Sequence, residues 1–485
     1  MTDYSQTSLD SPRLMLYAFH LRNSLDQSTQ TVTATASALW DSVVTLGEKL
    51  ACDELRNLRE TLRCYQRDDY QQWHYLPVQE GGVDEDFLRL LRQDDHLELK
   101  LSQSLSGSFD ALRIHDTYIA DLTWYDDQTL KVADLSRLNP QGVMFPGPLT
   151  ALLGQTLVLF AKPTEECHDY AELAKSCVTA LLPTTMPTPP LKATGQLFGG
   201  PLFEFESDTG HLLVWFNLQE QTKQLAEKEE NEVNFLNLLG SRHKLRYVNS
   251  LARQSYHEAR ELYSQLEEKV KVFEHLTQQE ATTDRFQRLD YLVKHTPNLA
   301  VKYTHHLRNI QDHHNTIEVN ATNYETLLQK LKVQSLTGDD LGLFEQFLAQ
   351  SHRWEKQLQV DLTYLNNTGS LFDRTINSAR SMIEIDTLKQ LQHTEKEAGR
   401  RQHELEILVA SVASLLEGAV VSAKVNHELP VKLFPSLHLP EPATVLQTVL
   451  YHLGEIGVHL GVGVIVAIGV VLVVKGWLGV KEKHH

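Results

Sequence analysis

Residues 456–474 read IGVHLGVGVIVAIGVVLVV, nineteen positions whose only polar side chain is His459. At 1.5 Å of rise per residue, such a helix is roughly 28 Å long, against a hydrocarbon core of about 30 Å. Gly457, Gly461, Gly463 and Gly469 stand among β-branched residues. That mixture makes a poor helix in water and is tolerated in lipid, where the backbone must satisfy its own hydrogen bonds. Gly457 and Gly461 form a GxxxG pair, predicted to let a second helix approach closely. Upstream, residues 407–423 (ILVASVASLLEGAVVSA) form a shorter apolar stretch that contains Glu417. Read as a second span, it completes a C-terminal transmembrane helical hairpin over 405–480, with an external connection at 425–455 holding Pro430, Pro435, Pro440 and Pro442. The alternative is an amphipathic helix packed in a bundle or lying at an interface.

The flanks set an orientation. Lys396, Arg400 and Arg401 precede the first stretch, and Lys475, Lys481 and Lys483 follow the second, while only Lys424 and Lys432 supply cations between them. The excess of Lys and Arg at both ends predicts an integral membrane protein with its N-terminal domain and C-terminus in the cytoplasm.

Further toward the N-terminus, residues 219–404 read as a helical coiled-coil and stalk region. Tyr303, Ile310, Ile317, Tyr324 and Leu331 recur every seven residues, as do Ala252, Ala259, Leu266 and Phe273, and Leu358, Leu365, Phe372 and Ala379. Apolar heptads of this kind define the seams of long antiparallel coiled helices. Thr296–Pro297–Asn298 and residues 335–340 (SLTGDD) read as breaks, because proline disfavours helix in the residue before it. The pattern therefore predicts helices over about 219–295, 298–334 and 340–424, with a further break in the first near 278–283.

Residues 1–218 read as an α+β domain. Helical patterns cover about 37–65, 84–92 and 168–182. Strand patterns cover 117–124, 130–135, 156–161, 196–206 and 211–218. The stretch 156–161 (TLVLFA) is apolar at five of six positions, which points to a central strand covered on both faces.

Composition limits the functions. The 485 residues carry 63 acidic against 45 basic side chains, a net charge of −18, which argues against a nucleic-acid partner. Four cysteines without CxxC spacing exclude a disulfide scaffold. The first thirty residues contain no secretory apolar core. No phosphate-binding glycine loop, HExxH or GxSxG occurs, so no enzyme is expected. His306 and His313, two helical turns apart within a cluster that includes His305, Asp312 and His314, are the candidate metal pair. The alternative is that His314 sits in a coiled-coil seam and the others are solvated. In an oligomer Glu417 would repeat as a carboxylate ring, with Ser411 and Ser414 lining the same pore.

The order of a cytosolic α/β domain, long helices, a stalk and a two-pass hairpin resembles the CorA-type divalent-cation channel superfamily. The resemblance lies in architecture. The family's Gly-Met-Asn signature is absent, and Ser422–Ala423–Lys424–Val425–Asn426–His427 stands in its place, with Asn426 the one residue of matching type. It implies a homo-oligomeric cation channel or transporter in a lipid bilayer, gated by its cytosolic domain and stalk. It implies no resident cofactor, a divalent cation being the transported or regulatory ion. The competing expectation is a membrane-anchored coiled-coil scaffold or signalling protein without transport activity.

Overall fold

The computed structural model describes residues 4–397 apart from 26–30, 82–86, 94–95, 102–104, 146–148, 208–209 and 281. Twelve strands occur among them: β1 (Ser8–Leu21), β2 (Tyr65–Arg67), β3 (Trp73–Tyr75), β4 (Phe87–Arg89), β5 (Leu97–Lys100), β6 (Leu105–Ile114), β7 (Thr117–Asp126), β8 (Leu130–Lys131), β9 (Gly154–Pro163), β10 (Leu191–Leu197), β11 (Gly200–Ser207) and β12 (Gly210–Phe216). The main sheet runs β10-β11-β12-β9-β1-β7-β6-β4, with β5 also on β6 and β8 on β1, while β2 and β3 form a separate ribbon. β12 pairs with β9 in parallel, and the other described pairings are antiparallel.

Alternation along the central strands assigns side chains to two cores. On β1, Leu14, Leu16 and Ala18 enter one core, and Tyr17, Phe19 and Leu21 enter the other. β9 divides into Leu157, Leu159 and Ala161 against Val158 and Phe160. β12 divides into Leu212, Val214 and Phe216 against Leu213 and Trp215. A strand covered on both faces carries apolar residues at both parities, which is why these segments read as continuous apolar runs. The first core is closed by α1 (Ala38–Leu50), the one-turn helices α2 (Asp53–Arg56) and α3 (Leu58–Thr61), and α4 (Tyr170–Leu181). Asp169 caps α4 by accepting hydrogen bonds from the Ala171 and Glu172 N–H groups.

After α5 (Glu220–Ala226) come three long helices: α6 (Glu229–Thr277), α7 (Thr283–Gln334) and α8 (Gly342–Glu397). The chain divides into two compact units, residues 1–274 with 294–376, and residues 275–293 with 377–485. In the first, the predicted seams are buried at Ala252, Ala259 and Leu266 on α6, at Tyr303 through Leu331 every seventh residue on α7, and at Leu358, Leu365 and Phe372 on α8, while Phe273, the last of the α6 set, is half-buried. The directions follow from the contacts. Arg253 pairs with Asp361 at 2.5 Å, and Tyr263 packs on Phe372, so α6 and α8 run parallel. Tyr324 packs on Phe347, while the Tyr303 hydroxyl donates to the Leu365 carbonyl at 2.8 Å, so α7 runs antiparallel to α8. In the second unit, the buried Arg285 and Asp386 pair at 3.2 Å.

Several expectations are corrected. No helix among the described residues is long and apolar enough to cross a membrane. The heptad seams of the long helices are buried, as a coiled coil requires, while Val301, Val319 and Val333 of α7 and Val360 and Tyr364 of α8 are exposed singly. The fold class of the described residues is thus a sheet domain with long helices, and the transmembrane hairpin, with the integral-membrane, ion-transport and cytoplasmic-orientation assignments, has no counterpart among them. The two stretches that motivated them, 407–423 and 456–474, lie outside the described residues. The helix expected over 84–92 is replaced by strand β4, whose Leu88 and Arg89 pair with Arg113 and Leu112 of β6. The strand expected over 196–206 is two strands with a turn at Phe198 (φ +53°) and Gly199 (φ +79°). Pro297 does not end a helix but lies inside α7. Proline costs one backbone hydrogen bond there, and the packing of neighbours such as buried Thr296 and Tyr303 outweighs that loss.

The α7–α8 loop is fastened to the β10–β11 turn. Asp339 accepts hydrogen bonds from the N–H groups of Phe198 (2.8 Å), Gly199 (2.7 Å) and Leu336 (2.8 Å). Asp340 and Gln196 exchange two backbone hydrogen bonds. Because one carboxylate serves three donors, Asp339→Ala is expected to lower stability by about 2–3 kcal/mol. Urea denaturation checks this, and a loss below about 0.5 kcal/mol would show that the fastening is dispensable.

Candidate functional site: a charged cleft beside β10, β11, α6 and α8

A cleft of about 520 Å³ opens where the β10–β11 edge of the sheet meets α6 and α8. Its floor is built by strand register. Thr156 on β9 lies beside His211 on β12. Glu204 and Glu206 on β11 point to the same face, since Glu206 is opposite His211 and Glu204 opposite Leu213. α6 crosses this face and presents Arg242, His243 and Arg246. Arg242 and Arg246 are four residues apart and share one side of the helix.

These side chains form one hydrogen-bonded chain. Thr156 Oγ1 is 2.7 Å from His243 Nε2 and 2.8 Å from His211 Nδ1, and His211 Nε2 is 3.2 Å from Glu204 Oε1. One proton arrangement gives each of these three hydrogen bonds a donor and an acceptor with both rings neutral. His243 Nε2–H donates to the threonine hydroxyl, the hydroxyl donates to His211 Nδ1, and His211 Nε2–H donates to the carboxylate. Arg242 then donates to Glu204 at 2.5 Å and to Glu206 at 3.0 Å. Glu206 also accepts from Lys192 at 2.6 Å and from Arg246. Arg242 is 4% exposed, and its guanidinium lies 4.4 Å from the centre of the Phe347 ring. Its Nε has no hydrogen-bond partner. A cation so enclosed is held by paired charge and by the aromatic face. The close fit extends to Gly154, where a Cβ would come within 2.5 Å of His243 Nδ1 and where φ is +135°.

Burial and charge set the titration of the chain. Burial and the neighbouring Arg242 cation, working against the pull of Glu204, together lower His211 to about 4. Burial also lowers His243, reinforced by His211 and Arg242. Burial acts to raise Glu204, but the His211 hydrogen bond and the Arg242 charge outweigh it and leave the carboxyl at about 2. At neutral pH the network therefore holds two neutral imidazoles, a carboxylate and a guanidinium.

The open wall is different in character. On α8, Arg353 donates to the neutral amide of Gln350 at 3.2 and 2.5 Å. Trp354, half-buried, packs edge-on against Phe347 with ring centres 5.8 Å apart. Asn249 and Ser250 of α6 and Gln346 of α8 add uncharged polar groups. Four cations (Lys192, Arg242, Arg246 and Arg353) thus face two carboxylates in a chain whose net charge is −18. The cleft can accept an anion without adding a buried charge of the wrong sign.

The site residues expected from the sequence lie elsewhere. Ser411, Ser414, Glu417, Asn426, Gly457 and Gly461 are outside the described residues. His306 and His313 are seven residues apart on α7, about 10.5 Å along the axis, and the structure does not bring them together. His306 Nδ1 faces Glu258 of α6 at 3.1 Å, and His313 is buried. Among the described residues there is no group of three or more His, Cys, Asp or Glu side chains that could hold a metal ion. The cleft residues were missed, although two local signals mark them. In 202–207 (LFEFES) carboxylates alternate with phenylalanines on a strand, and in 242–246 (RHKLR) two arginines stand one helical turn apart. No family model matches the chain, and neither a curated protein nor a solved structure matches it.

The network makes stability depend on pH. His211 has an ordinary value near 6.5 in the unfolded chain and about 4 when folded. Its contribution is therefore fully present above about pH 6.5 and is lost as pH falls toward 4. A shift of this size corresponds to about 3 kcal/mol, and His243 adds to the same window. Urea denaturation at pH 7.5 and 4.5 is expected to show this loss, and His211→Gln to remove part of it. Equal stability at the two pH values would contradict the buried-neutral assignment.

Proposed function

We propose that this protein is a ligand-responsive coiled-coil signalling scaffold whose charged cleft takes a small anion. The observation that carries the reading is the excess of cations over carboxylates in a concave site of a strongly acidic chain. The walls support the second half of the proposal. Lys192 and Glu206 belong to the sheet, Arg242 and Arg246 to α6, and Gln350 and Arg353 to α8. An anion between them bridges three elements, and α8 carries that restraint along its buried seam through Leu358, Leu365 and Phe372. Occupancy of the cleft is then coupled to the order of the helices that a partner would read. The transport expectation rests on Glu417 and its neighbours, outside the described residues, and gains no support from the cleft.

Inorganic phosphate at constant ionic strength tests the reading. At about ten times its dissociation constant it is expected to raise the unfolding midpoint by about 1–2 °C and to slow amide exchange in 342–366. Arg353→Ala and Arg246→Ala are expected to reduce the shift, while chloride at matched ionic strength leaves the midpoint in place. A midpoint equally unmoved by phosphate and chloride would remove the anion-site assignment.

A further inference from the structure

We infer that the cleft's ligand joins a doubly charged anionic group to a flat ring, the class to which phosphomonoesters of aromatic and heterocyclic compounds belong. This rests on the anion-site reading above and adds the ring.

Three features of the cleft support it. First, a volume of about 520 Å³ falls within the range of pockets that enclose whole organic ligands. A bare tetrahedral anion held by the cations would leave most of it to water. Second, the cleft sets cationic and aromatic surface side by side. Lys192, Arg242 and Arg246 gather around Glu204 and Glu206. Phe347 and Trp354 supply aromatic surface on α8. The guanidinium of Arg242 covers part of the Phe347 ring, so Phe347 is already partnered. Trp354 keeps part of its indole uncovered in the cleft wall. An exposed aromatic surface beside an arginine is a stacking platform that tolerates any flat ring. Third, the uncharged polar groups lining the cleft are carboxamides and a hydroxyl: Asn249, Ser250, Gln346 and Gln350. They can donate to or accept from the polar edges of a heterocycle or the oxygens of a sugar. Arg353, oriented by the Gln350 amide, stands next to Trp354 in sequence and lines the same wall. It is the cation best placed to share a ligand between charge and ring.

The charge of the anionic group follows from the side chains present. Two carboxylates neutralise two of the four cations, which leaves room for a dianion. A phosphomonoester carries nearly two negative charges at neutral pH. A simple monocarboxylate would leave one cation uncompensated.

The experiment is calorimetric titration of the full chain with inorganic phosphate, phenyl phosphate, the four common 5′-nucleoside monophosphates and adenosine. At least one ring-bearing phosphomonoester is expected to bind ten-fold or more tightly than inorganic phosphate. Trp354→Leu is expected to remove that preference while leaving inorganic phosphate within two-fold, and its folding is checked by its thermal midpoint. Should that variant fail to fold, quenching of tryptophan fluorescence by the tightest ligand in the unaltered chain, absent with phosphate alone, reports the same stacking. If inorganic phosphate binds and no ring-bearing ester binds more tightly, the ring is refuted and the anion site stands. If adenosine alone binds as well as its monophosphate, the dianion is refuted. If nothing in the series binds, both readings fall together.

Discussion

Arg242 enters the protein interior from α6 and is held there by two carboxylates on one strand, at 2.5 Å from Glu204 and 3.0 Å from Glu206. Bringing three ionised groups out of water is costly, and only their mutual attraction and hydrogen bonding offset it. The consequence is positional rather than additive. A packed apolar helix can slide by a fraction of a turn and repack, whereas a guanidinium bridging two fixed carboxylates has one place to sit. α6 is therefore indexed against β11, and every other feature of the cleft inherits that register. His243 is delivered to Thr156, Arg246 to Glu206, and the Phe347 ring to the face of the guanidinium.

Beneath this charged layer the sheet is ordinary in its physics. Apolar side chains of both parities on β1, β9 and β12 supply two cores, one for α1 and α4 and one for the long helices. The polar residues Thr156, His211, Glu204 and Glu206 occupy positions in the second face that the alternation would otherwise give to leucine or valine. Each is satisfied by a partner in that layer. Buried polar groups of this kind are sustained only when the network is closed, and here it runs unbroken from His243 through Thr156 and His211 to Glu204 and Arg242. The fastening of the α7–α8 loop by Asp339 places α8 against the same sheet edge. The cleft is thus bounded by elements fixed at two separate points.

Local periodicity carried part of this organisation in readable form. The seven-residue spacing of Tyr303, Ile310, Ile317, Tyr324 and Leu331 requires no long-range information, and those residues are buried as the spacing implies. The central position of β9 follows from its apolarity at both parities, and the Asp169 cap lies where a helix start was read. Other segments were ambiguous on their own. Leu88 and its neighbours fit a short helix as well as a strand, and pairing with β6 decides for the strand. Pro297 reads as a stop, yet tertiary packing carries α7 past it. β1 begins in a polar stretch and is a central strand only because β7 and β9 flank it.

The amino-acid sequence by itself determined the long helices, their seams and the presence of a sheet before them, because each depends on residues within a few turns or a few strand positions of one another. The cleft belongs to the tertiary structure. Lys192, Glu206, Arg242 and Arg353 are spread over some 160 residues, and no local pattern relates them. Only strand order, the crossing of α6 and the return of α8 bring them within hydrogen-bonding or packing distance. An electrostatic site is defined by separations of a few ångströms in space, and those separations are a property of the folded chain.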